Sequence, residues 1–541
     1  MSQRQYELLS GGHSKIDWGI TVLMVFVFII GMVWFTRGNR YASFYDTQEQ
    51  IRATQEIGKE WDLHRPLLSA VTTKVVKKAL QVPDDVQSVV EVGRTVSAFF
   101  AVGSIVALCL IVYFLESTTA AALLAVLLLC QHGLFAIAHR MTEGSSLLFG
   151  ASMTLLAIVL LEQKPTVPRS LFLGVSVALA VSAKYIGALL IIPASVAVVQ
   201  TGGGQFRVNR VVEFTLGLLF AILIVNFYAV AELPVAAMDV LQDLGTAFAS
   251  TPQGFKALVH GTYWLDLWHN TTPAIWIMIS VSLWLFWVRR YRLRMSQILL
   301  ALIPLVYFML LLFAPSGDLR FLPMIGFTYA LAVVGVASMT ECLATVREEV
   351  RGWLVPLLIG VCLVACFLEF LRGYPYYAAF NRDERVEMLD WIDGNIQPGS
   401  TILADPTVLL PKLIAQSKQK YRFAIARHDL AKFKQDQSEL DQVAAAGVDY
   451  VVASPADYRG AFYPTGSIGT PNDQSTSAAK QFYSELFKRG TLVWKREPGP
   501  VPFLQPGLEI YHLPKPLTAT ERGEGGRGGE NIITESQGTH R

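Results

Sequence analysis

The sequence predicts a polytopic α-helical membrane protein with about eleven spans, followed by a C-terminal extracytoplasmic α/β domain. Three observations predict it. Only 16% of the 541 residues are charged and 52% are hydrophobic, whereas a soluble domain has about 25% charged residues. The apolar residues are gathered in runs of bilayer-crossing length, about 17–25 residues, and mean hydropathy is +0.40. Lys and Arg fall in the short loops of one side, which orients a chain in a membrane.

The expected spans are 18–36, 95–115, 118–138, 145–162, 170–184, 186–201, 213–231, 273–289, 297–314, 321–339 and 353–371. The first run, Trp18–Phe35, lacks a small-residue cleavage site and reads as a retained span rather than a signal peptide. With the N-terminus cytoplasmic and the C-terminus outside, the inner loops carry Lys164 and Arg169, Arg207 and Arg210, Arg289 to Arg294, and Arg347 and Arg351. The loop between spans two and three is the one inner loop without a basic residue. Segment 170–201 reads as two short spans or one long tilted one. A single span would turn Arg289–Arg294 to the outside, so two are preferred.

This topology divides the chain into a membrane domain (1–371), an extracytoplasmic α/β domain (372–515) and a disordered tail (516–541). The membrane domain includes a polar first loop (37–94), and a second outer loop (232–272) brings Tyr263, Trp264 and Trp268 to the membrane surface. In the C-terminal domain, short apolar runs at Thr401–Ala404, Tyr450–Ala453, Leu492–Trp494 and Leu508–Tyr511 predict strands. Helical patterns fall between them at Arg385–Asn395, Glu439–Ala446 and Ala478–Lys488. The tail is rich in Gly and charge, as in ERGEGGRGGE.

Several classes are disfavoured. A net charge of +2 gives no case for nucleic acid. The five cysteines avoid the polar segments, so neither a disulfide framework nor a zinc site is expected. A secondary transporter would show internal repeats and charged or broken helices near the midplane. No repeat is visible, and the ionisable residues gather at span ends. A non-catalytic assembly protein that binds partners through its C-terminal domain remains the other alternative.

Chemistry is concentrated at the outer surface. Asp46 lies about ten residues after span one, and Asp46 and Glu49 share a helix face if a helix has begun there. Asp46 is a candidate general base or oxygen ligand for a divalent cation; from local sequence alone the commoner role of an Asp before a helical run is the helix cap. His64 and Arg65 stand before Pro66 in the same loop. His139, Arg140, Lys184 and Arg320 sit at outer span ends against the positive-inside rule, and Glu143 opens span four. Arg140 and Glu143 can pair at i and i+3, whereas Lys184 and Arg320 have no partner close in sequence apart from Asp318. Such cations suit a lipid-linked phosphate in the outer leaflet, and also snorkelling to headgroups.

In order along the chain, these residues resemble the GT-C superfamily of membrane glycosyltransferases. The likeness is to the protein O-mannosyltransferase and lipid A aminoarabinose transferase branch. The corresponding stretches are Tyr45-Asp46-Thr47-Gln48-Glu49, where the family has Asp-Glu, and His64-Arg65-Pro66-Leu67, where it has His-Pro-Pro-Leu. They continue with Arg140 to Glu143, Ala183-Lys184-Tyr185, Asp318-Leu319-Arg320-Phe321-Leu322-Pro323, and Met388-Leu389-Asp390-Trp391-Ile392 through Pro398-Gly399.

The resemblance implies a dolichyl- or undecaprenyl-phosphate sugar as donor and a lipid, glycan or protein as acceptor. It implies Asp46 as the catalytic carboxylate, with Glu49 beside it, and Arg140, Lys184 and Arg320 on the donor phosphate. His64, Arg65 and Glu143 would position the loop or the acceptor. No cofactor is certain; a divalent cation at Asp46 is compatible. The expected location is a bacterial inner membrane, with the site facing the periplasm or exterior.

Overall fold

A computed structural model describes residues 18–37, 54–55, 67–201, 206–227, 268, 270–288, 294–310, 324–343, 348–379, 384–404, 422–425, 439–455, 458, 473–499, 505 and 507–513. The protein is a polytopic helical membrane protein. Among the described residues, five helices are long and apolar enough to cross a membrane, one bent pair makes a sixth, and five further apolar helices are shorter.

The helices of the membrane part are α1 (Trp18–Phe35), α2 (Leu68–Ala79), α3 (Val86–Leu115), α4 (Thr118–Cys130), α5 (His132–Ala138), α6 (Glu143–Gln163) and α7 (Val167–Ala183). A 3-10 turn (Tyr185–Leu190) leads into α8 (Ile191–Thr201). Then come α9 (Phe206–Val225), α10 (Pro273–Val288), α11 (Met295–Leu310), α12 (Ile325–Leu343) and α13 (Glu348–Ala379). Segment 170–201 is therefore two helical pieces that meet at Lys184.

Local chemistry sets several boundaries. Asp85 caps α3 by accepting from the Ser88 amide at 3.0 Å and the Ser88 hydroxyl at 2.6 Å. Ser117 caps α4 through the Ala120 amide at 3.2 Å. Arg169 donates to the carbonyls of Leu160 and Lys164 at the end of α6, where a cation offsets the helix dipole. Glu162, also near that end, accepts from the Ser296 amide (3.1 Å) and hydroxyl (2.6 Å) and caps α11 from a distance in sequence.

Between apolar helices in lipid there is little hydrophobic drive, so close backbone contact must supply packing. Gly174 of α7 and Gly217 of α9 provide it. A Cβ on Gly174 would lie 2.1 Å from the Phe214 oxygen, and one on Gly217 would lie 2.4 Å from the Leu171 oxygen.

A second compact unit comprises Glu384–Pro498 and the residues from Pro506 onward. Among its described residues the strands form one five-stranded sheet: β1 (Thr401–Ala404), β2 (Arg422–Ile425), β3 (Tyr450–Ala453), β4 (Thr491–Arg496) and β5 (Leu508–His512), in the order β2-β1-β3-β5-β4. β1 runs parallel to β2 and β3, while β5 is antiparallel to β3 and β4.

The two sheet faces have separate cores. Met388, Leu389 and Ile392 of α14 (Glu384–Asn395) pack with Ile402, Val452 and Ile510. Leu440 and Val443 of α15 (Glu439–Ala445) and Phe482 and Leu486 of α16 (Asp473–Arg489) pack with Leu403, Val451 and Tyr511. The four strands read from sequence are present, and β2 is an additional edge strand. Its stretch RFAI follows a Lys- and Gln-rich run without Gly or Pro punctuation, so no boundary signal marked it.

Candidate functional site

Lys184 is where α7 stops. Its backbone is extended (φ −161°, ψ 136°), its amide still bonds the Ala180 oxygen at 3.1 Å, and its oxygen accepts from the Gly187 amide at 2.7 Å to begin the 3-10 turn. The Lys184 side chain is 46% exposed, and its Nζ lies 4.0 Å from Glu143 Oε2. Glu143 is the first residue of α6, where a carboxylate also favours the helix dipole. Sequence spacing offers Glu143 a local partner in Arg140; the structure brings it to Lys184, a longer-range pairing that local spacing could not reveal.

Arg140 belongs to the turn between α5 and α6. Its amide bonds the Ile137 oxygen at 3.2 Å, and its oxygen accepts from the Thr142 amide at 2.9 Å. His139, one residue earlier, is fully buried. Its ring nitrogens lie 2.8 Å from the Phe135 oxygen and 2.8 Å from the Arg37 oxygen, so it ties the end of α5 to the end of α1. The charge of Arg94 is nearby. Arg94 is the largest fully buried side chain among the described residues. Sequence reading missed it by assigning it to the edge of a polar loop. The available signal was Asp85 followed by Ser88, a cap that starts α3 well before Arg94.

Beside the ion pair runs an apolar cavity of about 320 Å³. Its walls are Leu147 of α6, Ile186 and Leu190 of the 3-10 turn, Ile303 and Tyr307 of α11, and Met324 just before α12. Leu147 lies one turn beyond Glu143, and Ile186 two residues beyond Lys184, so the charged pair stands at one end of the cavity's wall. Hydrocarbon along the wall and a cation at its end match a ligand with an apolar tail and an anionic head.

The other expected site residues, Asp46, Glu49, His64, Arg65 and Arg320, lie outside the described residues. Met324, four residues after Arg320, lines the cavity. Among the described residues no three His, Cys, Asp or Glu side chains converge to hold a metal ion.

Solved structures similar to this chain include the oligosaccharyltransferase of Archaeoglobus fulgidus in complex with Zn and sulfate (12% identity, TM-score 0.46, covering 83% of this chain and 70% of that one). Another is ArnT from Cupriavidus metallidurans bound to undecaprenyl phosphate (14% identity, TM-score 0.46, covering 91% of this chain and 98% of that one). A third is the arabinofuranosyltransferase AftD from Mycobacteria (12% identity, TM-score 0.41, covering 91% of this chain and 41% of that one). No protein-family model matches the chain, and no curated protein matches it. At these identities and scores, likeness transfers neither substrate nor mechanism.

Proposed function

We propose that the chain is a membrane glycosyltransferase that takes a sugar from a polyprenyl-phosphate donor and passes it to a lipid, glycan or protein acceptor. The observation that carries this reading is the Lys184–Glu143 pair at the end of an all-apolar cavity wall. The cavity takes the polyprenyl tail and Lys184 meets the phosphate. A 4.0 Å pair with a half-exposed lysine is weakly held. Glu143 therefore keeps Lys184 in position until the donor phosphate replaces it.

In this reading Arg320 and Arg140 join Lys184 on the phosphate. Asp46, with Glu49 beside it, removes the proton from an acceptor hydroxyl. The acceptor oxygen then bonds to the anomeric carbon as the bond from that carbon to the phosphate oxygen breaks. The lipid phosphate departs with the electron pair, and the cations stabilise its charge. A single displacement inverts the anomeric centre. His64 and Arg65 hold the first loop over the acceptor, and Asp46 is the residue that would hold a divalent cation. The chain then has eleven spans, with its N-terminus inside and its α/β unit outside, in a bacterial inner membrane.

The test is binding of undecaprenyl phosphate and transfer from its sugar-loaded form by full-length protein in nanodiscs. Lys184→Ala should weaken binding, and Asp46→Asn should abolish transfer while sparing it. Unchanged affinity in Lys184→Ala would remove the phosphate assignment, and near-normal turnover in Asp46→Asn would remove the base.

A further inference from the structure

A break in a membrane helix leaves backbone groups that lipid cannot satisfy, so neighbouring helices must satisfy them. α4 and α5 meet at Gln131 with a bend of 64°. Gln131 is fully buried and uses both ends of its amide. Its oxygen accepts from the Leu134 amide at 2.6 Å and caps α5, while Nε2 donates to the Asn270 oxygen at 2.8 Å. From α13, the Tyr377 hydroxyl donates to the Cys130 oxygen at the break at 2.7 Å.

Two turns before Tyr377 on that helix is Glu369. It is fully buried inside a membrane-spanning helix, where a carboxylate is costly and tends to mark function. Its Oε1 accepts from the buried Tyr329 hydroxyl of α12 at 2.6 Å. Tyr329 lies beside Gln131, and Thr272 and the charge of Arg372 lie beside Glu369. Arg372 in turn donates to the oxygens of Thr271 and Trp268 (3.2 Å for the latter), which precede α10. The break is thus held by the residues just before α10 together with α12 and α13.

The second half of the broken helix, α5, is tied to the start of α6. The Ile137 oxygen of α5 accepts from the Arg140 amide at 3.2 Å and from the Ser145 hydroxyl of α6 at 3.1 Å. The angle of α5 therefore sets where α6 begins, and α6 begins at Glu143, the partner of Lys184.

We infer that Glu369 is a positioning residue: with Tyr329 and Tyr377 it fixes the break at Gln131, and the break places Glu143 against Lys184. Its bearing on donor binding rests on the function proposed above, but the geometry is testable without it.

A water-soluble carbodiimide joins a carboxylate to an adjacent amine as an amide, so it should couple Glu143 to Lys184 in the full-length protein. Peptide mass spectrometry reads the yield. Glu369→Gln still offers Tyr329 an acceptor oxygen and should cross-link like wild type. Glu369→Leu should lose most of the yield, and so should Tyr377→Phe, which deletes a single hydroxyl and decides the matter should Glu369→Leu not fold. Wild-type yields in folded Glu369→Leu or Tyr377→Phe would overturn the inference, as would no cross-link in the wild type. Undecaprenyl phosphate binding is scored separately: should wild type not bind it while cross-linking still depends on Glu369, the donor reading fails and the positioning role stands.

Discussion

Gly187→Ala is the perturbation whose effect follows most directly from the coordinates. Gly187 sits in the 3-10 turn between Lys184 and the cavity-lining Leu190. A Cβ there would lie 2.2 Å from the Ala180 oxygen and 2.4 Å from the Ala180 carbonyl carbon. Non-bonded carbons rest at about 3.5 Å, so the turn must move away from α7 by about 1 Å. Both obstructing atoms are backbone and cannot rotate aside. Such overpacking costs about 1–3 kcal/mol.

The same displacement carries Lys184 off its target. Losing one charge-assisted hydrogen bond, about 1.5–3 kcal/mol, weakens undecaprenyl phosphate binding by about tenfold or more. Thermal unfolding in detergent and native mass spectrometry with the lipid measure the two effects. Gly360→Ala is the control. A Cβ there meets nothing within 4 Å, and Ala is favoured over Gly in a helix by about 1 kcal/mol. Wild-type behaviour of Gly187→Ala in both assays, or an equal loss in the control, would refute a steric role for the bare Gly187 backbone.

Other expectations follow from single contacts. Glu143→Gln removes the competitor for Lys184 and should tighten undecaprenyl phosphate binding by up to about fivefold, the equivalent of ~1 kcal/mol for an ion pair of this kind; weaker binding would contradict the exchange of partners. Glu162→Ala strips the start of α11 of two hydrogen bonds and should cost about 1–2 kcal/mol in thermal stability, an expectation an unshifted unfolding curve would refute. Gly174→Leu drives a side chain into the α9 backbone and should sharply reduce the yield of folded protein, so normal yield would mean α7 and α9 do not touch. Buried Glu509 accepts from the Tyr511 hydroxyl at 2.8 Å and pairs with Lys495 at 3.4 Å. Glu509→Ala should cost about 1–3 kcal/mol and speed limited proteolysis of the second unit, with unaltered cleavage arguing against a structural role.

What the sequence made legible was local. Apolar runs located helices such as α1, α6 and α10, because hydropathy over a window is a property of neighbours in the chain. The strands at Thr401–Ala404 and Tyr450–Ala453 were bounded by polar punctuation and fell where expected. Lys184 stood out because a cation at an expected outer span end contradicts the orientation rule, and Glu143 because it opens an expected span.

Relations between distant segments were not legible. Nothing in the spacing ties Lys184 to Glu143, or Glu162 to Ser296. The break at Gln131 has no proline to announce it, and 118–138 reads as one continuous span. Glu369 was hidden for another reason. It falls near the end of an apolar run, but α13 continues to Ala379 and carries the carboxylate into the helix interior. Arg94 was overlooked because a single cation at a loop boundary looks like solvated surface, whereas the fold encloses it entirely.

A structure of the full-length protein with undecaprenyl phosphate bound tests the central claim most directly. The account expects a phosphate oxygen about 3 Å from Lys184 Nζ, Glu143 displaced from that amine, and the first isoprene units along Leu147, Ile186 and Ile303. A lipid seated elsewhere, with Lys184 still on Glu143 and the cavity vacant, would contradict it.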